Sequence, residues 1–273
     1  PVIDFVPLQR NDEVITTQYP MGTIERLGLL KMDFLGLRTL TVIRDTLDMM
    51  REAGVDMKAE DIPMDDPAVY EMISKGDTDG VFQLEGAGMR GFLVNMKPAS
   101  FEDIIAAISL YRPGPMDSIP RYIAGKQDPT SVSYKTELLR PILDVTYGCM
   151  VYQEQVMQIV RDLAGYSYGR SDLVRRAMAK KHPEELEKQR VTFLAGAKNN
   201  RIPEDAANRL FDEMAGFASY AFNKSHAAAY SCLCYRTAYL KAHYRAAYFS
   251  ALLSSVLGNP VKTAAYIADC EKA

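Results

Sequence analysis

The sequence predicts an α+β fold that is predominantly α, a multi-helix body preceded by a short β segment. Three observations predict it. From residue 37 onward, apolar residues recur at three- and four-residue spacing between recognisable caps and breakers. Within the first 36 residues the pattern is β-prone or alternating instead, at Val14 to Thr17 and from Leu27 to Gly36. At 273 residues, 48% hydrophobic and 25% charged, the chain has the composition of a globular protein with a sizeable core rather than a disordered one. No apolar run approaches the roughly 18 residues that span a bilayer, and no basic stretch followed by an apolar one opens the chain. Cys149, Cys232, Cys234 and Cys270 lack paired metal spacing. Reduced thiols in a cytoplasmic protein without a membrane partner are therefore expected.

Taken in order, residues 1–36 form the expected β segment. Leu30, Met32 and Phe34 share one face of its alternating run and Lys31, Asp33 and Leu35 the other, so Asp33 emerges at a strand end. It is the one acidic residue whose context fits a metal ligand. A helix follows on Leu40, Ile43, Leu47 and Met50 and stops at Gly54. Asp66-Pro67 opens another, Gly80 to Leu84 reads as a short strand, and Gly86 to Met96 as a helix. Ser100 with Asp103 makes a capping box ahead of Ile104 to Leu110. Arg112-Pro113-Gly114-Pro115 ends that helix and holds Arg112 at a rigid corner. Beyond a loop near Gly125 to Ser133, helices are expected at 137–144, 152–163, 171–180, 183–197, 203–214 and 225–256. Gly258-Asn259-Pro260 breaks the last of these, and one more helix runs to the C-terminal end.

Charge is unevenly distributed although the net value is only −3. Between Asp45 and Asp103 stand fourteen acidic residues against five basic ones. Between Met214 and Ala268 stand Lys224, Arg236, Lys241, Arg245 and Lys262 with no acidic residue. That second stretch contains Phe222-Asn223-Lys224-Ser225-His226, followed by Ala227, Ala228 and Ala229. Ser225 is the expected N-cap. The free N–H groups of the helix start, with Lys224 beside them, suit an anion such as phosphate. A second basic surface is expected on the helix from Ser171, with Leu173, Val174, Ala177 and Met178 inward and Arg175, Arg176 and Lys180 outward. Arg170, Lys181, Lys188 and Arg190 extend it. Like charges at that spacing repel, so a polyanion or a counter-ion network is expected there. His182, His226 and His243 have no metal-ligand spacing, and no P-loop, Rossmann or nucleophile-elbow pattern occurs.

The segment FNKSHAAAY resembles the fingers signature of the alpha (catalytic) subunit of bacterial DNA polymerase III, the C-family replicative polymerase. KMDFLGLRTL from Lys31 resembles the family's palm segment bearing the third catalytic aspartate. GVFQLEGAGM from Gly80, LYRPGPM, YGCMVYQEQVMQI and RRAMAKKHPEE resemble successive fingers motifs in family order. The resemblance implies a distal palm segment of nucleotidyltransferase type at 1–36 and a helical fingers domain over 37–273, truncated at its end. It implies Asp33 as a catalytic, Mg2+-binding carboxylate in a two-metal site. Arg112, Arg175, Arg176, Lys180, Lys181, Asn223, Lys224 and His226 would bind the incoming dNTP and the template-primer DNA. The family's other two aspartates sit in an upstream D-x-D motif that is not in this sequence, so this chain alone is expected to be inactive. The sliding clamp and clamp loader are expected partners through regions also outside it. Ala179, where the family usually has glycine, and Arg245, where proline is common, are mild departures. The rival expectation is a non-enzymatic helical DNA- or protein-binding module in which Asp33 is structural.

Overall fold

A computed structural model describes residues 1–32, 36–180 and 183–271. The chain divides into two units, Pro1–Arg38 and Thr39–Ala273. In the first, β1 (Leu8–Asn11) and β2 (Val14–Thr17) form an antiparallel hairpin in the register Leu8↔Thr17 to Asn11↔Val14. Asp12 takes a positive φ of 53° at its two-residue turn, a conformation to which aspartate is comparatively tolerant. α1 (Met21–Arg26) follows. The expected strand over Leu27 to Gly36 is not formed by its described part: Leu27 and Gly28 close α1, and Leu29 to Met32 are irregular. A strand exists only through pairing, and among the described residues β1 and β2 pair only with each other. Asp33 lies outside the described residues.

The second unit is helical. α2 (Arg38–Glu52) buries Val42, Ile43, Thr46, Leu47 and Met50, while Leu40 is left exposed, so the apolar face begins later than its spacing implied. α3 (Pro67–Ser74) is capped by Asp66, whose Oδ1 accepts from Ala68 N at 2.8 Å. Residues 78–84 are not a strand but successive turns. Val81 N donates to Thr78 O, Leu84 N to Val81 O, and Thr78 Oγ1 to Leu84 O, so local bonds consume groups that a ladder would need. α4 (Ala87–Met96) precedes α5 (Phe101–Leu110), which carries the expected capping box: Asp103 N donates to Ser100 Oγ at 3.3 Å and Ser100 N to Asp103 Oδ2 at 3.0 Å. α6 (Ile119–Gln127) follows, and α7 (Arg140–Leu143) lies between two single 3-10 turns. Then come α8 (Gln153–Ala164), α9 (Tyr168–Lys180), α10 (Pro183–Asn199) and α11 (Glu204–Phe217).

The single helix expected over 225–256 is two, α12 (Lys224–His243) and α13 (Arg245–Ser255), broken at Tyr244 with φ −131° and ψ 46°. No proline or glycine stands there, so the break is tertiary in origin: α13 packs back on α12, and its first residue is drawn into ion pairs with Asp77 and Asp269. α14 (Pro260–Cys270) closes the chain, capped by Asn259.

Two apolar cores result. The first draws on α2 to α6 and α12 to α14, and the second on α7 to α11. At Gly196 an added Cβ would lie 2.2 Å from the backbone oxygen of Ala164, so α10 approaches α8 more closely than any side chain permits. The chain weaves between the cores at 149–156, where Cys149, Val151 and Tyr152 belong to the first and Met150 and Val156 to the second. It crosses again between Ala218, in the second core, and Ala227, in the first.

Lys241 is 0% exposed, yet its ammonium is held 2.6 Å from Asp77 Oδ1 and 2.8 Å from Asp269 Oδ2, and it donates to Asp79 O. Arg245 reaches the same two carboxylates, Lys262 reaches Glu85, and Lys224 reaches Glu102. Three of these four acids belong to the acidic stretch 45–103. Four of the five cations of the basic stretch are thus paired with carboxylates of this chain. Arg236 and Arg245 each keep a buried Nε without a hydrogen-bond partner, but the Nη atoms of Arg245 reach Asp77 and Asp269. Burial acts to raise the Asp77 carboxyl, but the hydrogen bonds and charges of Lys241 and Arg245 outweigh it and hold the group below the usual carboxylate range.

Removing one partner of a buried pair strands the other, so Lys241→Ala is expected to cost about 3–5 kcal/mol in urea unfolding. Lys262→Ala, at a half-exposed pair, should cost less than about 1 kcal/mol. Because the folded value of Asp77 is lowered, its contribution is complete at neutral pH and is lost as pH falls below the ordinary carboxylate range through that lowered value. Stability measured from pH 7 down to pH 3 should therefore fall less steeply for Asp77→Asn than for the wild type.

Candidate functional site

The second crossing between the cores is fixed to the first by backbone. Tyr152 and Phe222 form a parallel bridge: Gln153 N donates to Phe222 O at 2.9 Å and Phe222 N to Val151 O at 3.3 Å. Side chains reinforce it. Gln153 Nε2 donates to Ala221 O, while Gln155 accepts from Val151 N and Tyr152 N and donates to Ile142 O and Thr146 Oγ1. Every polar atom of the buried Gln155 amide is thereby used, as burial requires.

The bridge keeps Phe222 and Asn223 extended, so α12 begins at Lys224, and Asn223 rather than Ser225 is its N-cap. Asn223 Oδ1 accepts from His226 N at 2.7 Å. Ser225, two residues later, is already helical and exposed. Asparagine and serine cap about equally well, and the tertiary bridge decides between them. The helix start is not open to an outside anion as expected. Glu154 occupies it, accepting from Lys224 N at 3.2 Å and 3.0 Å and from Asn223 Nδ2 at 3.0 Å. The Lys224 ammonium lies 5.2 Å from the centroid of the Tyr152 ring and 3.0 Å from Glu102 Oε2. Burial, with the carboxylates of Glu102, Glu154 and Asp103, pushes the Tyr152 hydroxyl up and keeps it protonated.

The proline corner closes on the same turn. Gly114 has φ 99°, and a Cβ there would lie 2.5 Å from the Tyr220 ring, so only glycine admits this packing. The Arg112 guanidinium stacks 3.7 Å from the Phe222 centroid, a cation–π contact, and burial pushes its pKa down from the usual value. From Phe222 the rings continue to His226 at 5.4 Å, then to Tyr230 at 4.3 Å and Phe82 at 5.5 Å. Arg112, Asn223, Lys224 and His226 are thus brought to one place, with His226 exposed at its rim.

Arg175 and Arg176 stand apart on α9, which packs on α8, α10 and α11. Both bind Asp172: Arg175 Nη2 at 2.8 Å from Oδ1 and Arg176 Nε at 2.8 Å from Oδ2. The Arg175 hydrogen bond, with both charges, holds the Asp172 carboxyl low against the effect of burial. The Arg175 side chain is 17% exposed and that of Arg176 63% exposed, so only Arg176 projects as expected. Leu173, expected inward, is 64% exposed, and the buried face is Ser171, Val174 and Met178. Lys180 ends α9, and Lys181 lies outside the described residues. α8 links the two places, holding the turn with its first residues and α9 along its length. The sequence reading missed Glu102, Glu154 and the glutamines flanking Glu154. The only available signal was a carboxylate in the first turn of a helix.

Among the described residues no three His, Cys, Asp or Glu side chains are grouped to hold a metal, and no helix is long and apolar enough to cross a membrane.

Comparison with known proteins places this geometry. The family model of the bacterial DNA polymerase III alpha subunit finger domain matches residues 39–201, and that of the bacterial DNA polymerase III alpha NTPase domain matches residues 1–36. The DNA polymerase III subunit alpha of Thermus aquaticus is 53% identical over 276 residues, covering 98% of this chain and 23% of that protein. The proteins of the same name from Staphylococcus aureus strains Mu50 and COL are 45% identical over 273 residues, covering 100% of this chain and 26% of each. The chain spans about a quarter of the length of these relatives. With a finger-domain match over more than half its length, the chain belongs to the bacterial DNA polymerase III alpha subunit family.

Proposed function

We propose that this chain is the fingers, with a distal palm segment at 1–36, of a DNA-directed DNA polymerase of the bacterial replisome, working in the cytoplasm. Its task is to hold the incoming dNTP and the template-primer while a primer 3′-hydroxyl attacks the α-phosphate. The observation that carries the reading is the turn 222–226, where Arg112, Lys224 and His226 meet on a doubly anchored support.

Phosphoryl transfer of this kind depends on positioning and on neutralising triphosphate charge. Lys224, Arg112 and, from α9, Arg176 supply cations, and Arg175, Lys180 and Lys181 are assigned to the same task. The exposed His226 ring suits stacking on a base, and Asn223 fixes the turn that carries it. Glu154 takes the Lys224 N–H and Asn223 the His226 N–H at the start of α12, so triphosphate oxygens are assigned to side chains rather than to the helix start. The described residues form no holder for Mg2+. That role is assigned to Asp33 with the two aspartates of the family's D-x-D motif. Clamp and clamp-loader contacts are assigned to the rest of the longer polypeptide.

Primer extension by this chain alone should not exceed a contamination control, and Asp33→Asn in the intact subunit should abolish extension while sparing DNA binding. Arg176→Ala should raise the nucleotide KM and lower kcat, a loss of about 1.5–3 kcal/mol for charge-assisted bonds. Arg190→Ala should instead register in stability, because Arg190 is bound to Asp212 and Glu187 and stacks on Phe211. Equal kinetic effects from both would remove the role given to α9.

The turn separates in the same way. Asn223→Ala should lower stability by about 1 kcal/mol and Ser225→Ala by much less. Lys224→Ala should cost under about 1 kcal/mol of stability yet raise the nucleotide KM. Wild-type kinetics for Lys224→Ala would refute its placement at the nucleotide.

A further inference from the structure

The Glu154 carboxylate lies where two helix starts converge. It stands at the second residue of α8, where a negative charge is favoured by that helix's own dipole, and it also accepts the first N–H of α12. Its remaining contact is Asn223 Nδ2 at 3.0 Å. That contact orients the Asn223 amide. With Nδ2 committed to Glu154, Oδ1 is left to accept from His226 N, and one asparagine bonds in both directions at once. Aspartate and serine cap helices as well as asparagine does, but serine is too short to span both partners, and aspartate would set a second carboxylate against Glu154.

We propose that Glu154 is a positioning residue: through Asn223 and the Lys224 amide it sets where the Lys224 ammonium and the His226 ring stand. The proposal rests on the reading that these two side chains face the nucleotide. A carboxylate held by two donors on consecutive residues resists rotation of the turn in a way that the Asn223 cap alone does not. Lys224 then leaves the turn along the Tyr152 ring, and His226 stays between Phe222 and Tyr230.

The test is a charge-complementation cycle in the intact polymerase subunit, reading nucleotide KM, kcat, the fraction of active sites and Tm. Glu154→Ala and Asn223→Asp should each raise the nucleotide KM about tenfold with the active fraction unchanged, as expected for loss of a charge-assisted bond. The pair Glu154→Gln with Asn223→Asp should return KM to within about threefold of wild type, because the glutamine amide donates to the new carboxylate. Glu154→Ala should add nothing to Lys224→Ala with His226→Ala, since it acts through them. An unchanged KM in Glu154→Ala, an additive effect, or failure of the double variant to recover would overturn the proposal. Loss of Tm or active sites alone would show Glu154 to be only a brace. If Lys224→Ala and His226→Ala raise KM while Glu154→Ala does not, this inference alone falls. If those two leave KM unchanged, the functional reading falls and takes the positioning role with it.

Discussion

An ammonium group removed from water must be met by negative charge, and in this chain that requirement ties distant segments together. Lys241 comes from the last turn of α12, Asp77 from the turn after α3, and Asp269 from the end of α14. Separating any of them strands a charge in a low-dielectric interior. Arg245 shares both carboxylates, so the same cluster sets where α13 begins and why the helix breaks at Tyr244. With the C-terminal half of α12 fixed, the position of its N-terminal end follows from twenty residues of rigid helix.

That N-terminal end is where the two cores meet. A turn supported by one core alone would move with it, whereas the 222–226 turn is bridged to a segment whose alternate residues enter different cores. Arg112 presses on it from the proline corner, and Glu154 and Glu102 meet its charge. At the turn the His226 ring is exposed and Lys224 is partly exposed beside Glu102, and on α9 Arg176 is 63% exposed. For the nucleotide-binding role proposed above such a support matters, since small misplacements of a binding group are costly.

Features decided within a few residues were legible in the sequence. The Ser100–Asp103 capping box, the Asp66 cap, the proline corner at Arg112 and the strand at Val14 to Thr17 all occur where local chemistry puts them. Features decided by tertiary contact were not. Asn223 displaced Ser225 as cap because a backbone bridge fixes the residue before it, and the break at Tyr244 has no breaker residue. The apolar run at Gly80 to Leu84 is buried as a strand would be, with Val81 and Leu84 both inaccessible, but its hydrogen bonds close within a turn. Charge was the most misleading signal. The acidic stretch 45–103 and the basic stretch 224–262 look like separate surfaces in sequence, yet Asp77, Glu85 and Glu102 of the first meet Lys241, Arg245, Lys262 and Lys224 of the second. The residues that carry the resemblance were visible as motifs, but the role of YQEQ in holding FNKSH was visible only once the two stood side by side.

The central claim is that the 222–226 turn, and not the basic stretch as a whole, receives the nucleotide. Backbone hydrogen exchange in the intact subunit, with and without primer-template and a non-hydrolysable nucleoside triphosphate, tests it most directly. Slower exchange at 222–230 and along α9, with 241–262 unchanged, is the predicted result. Slower exchange across 241–262 with none at 222–226 would contradict the account, because it would mean that the paired cations open to take up the polyanion themselves.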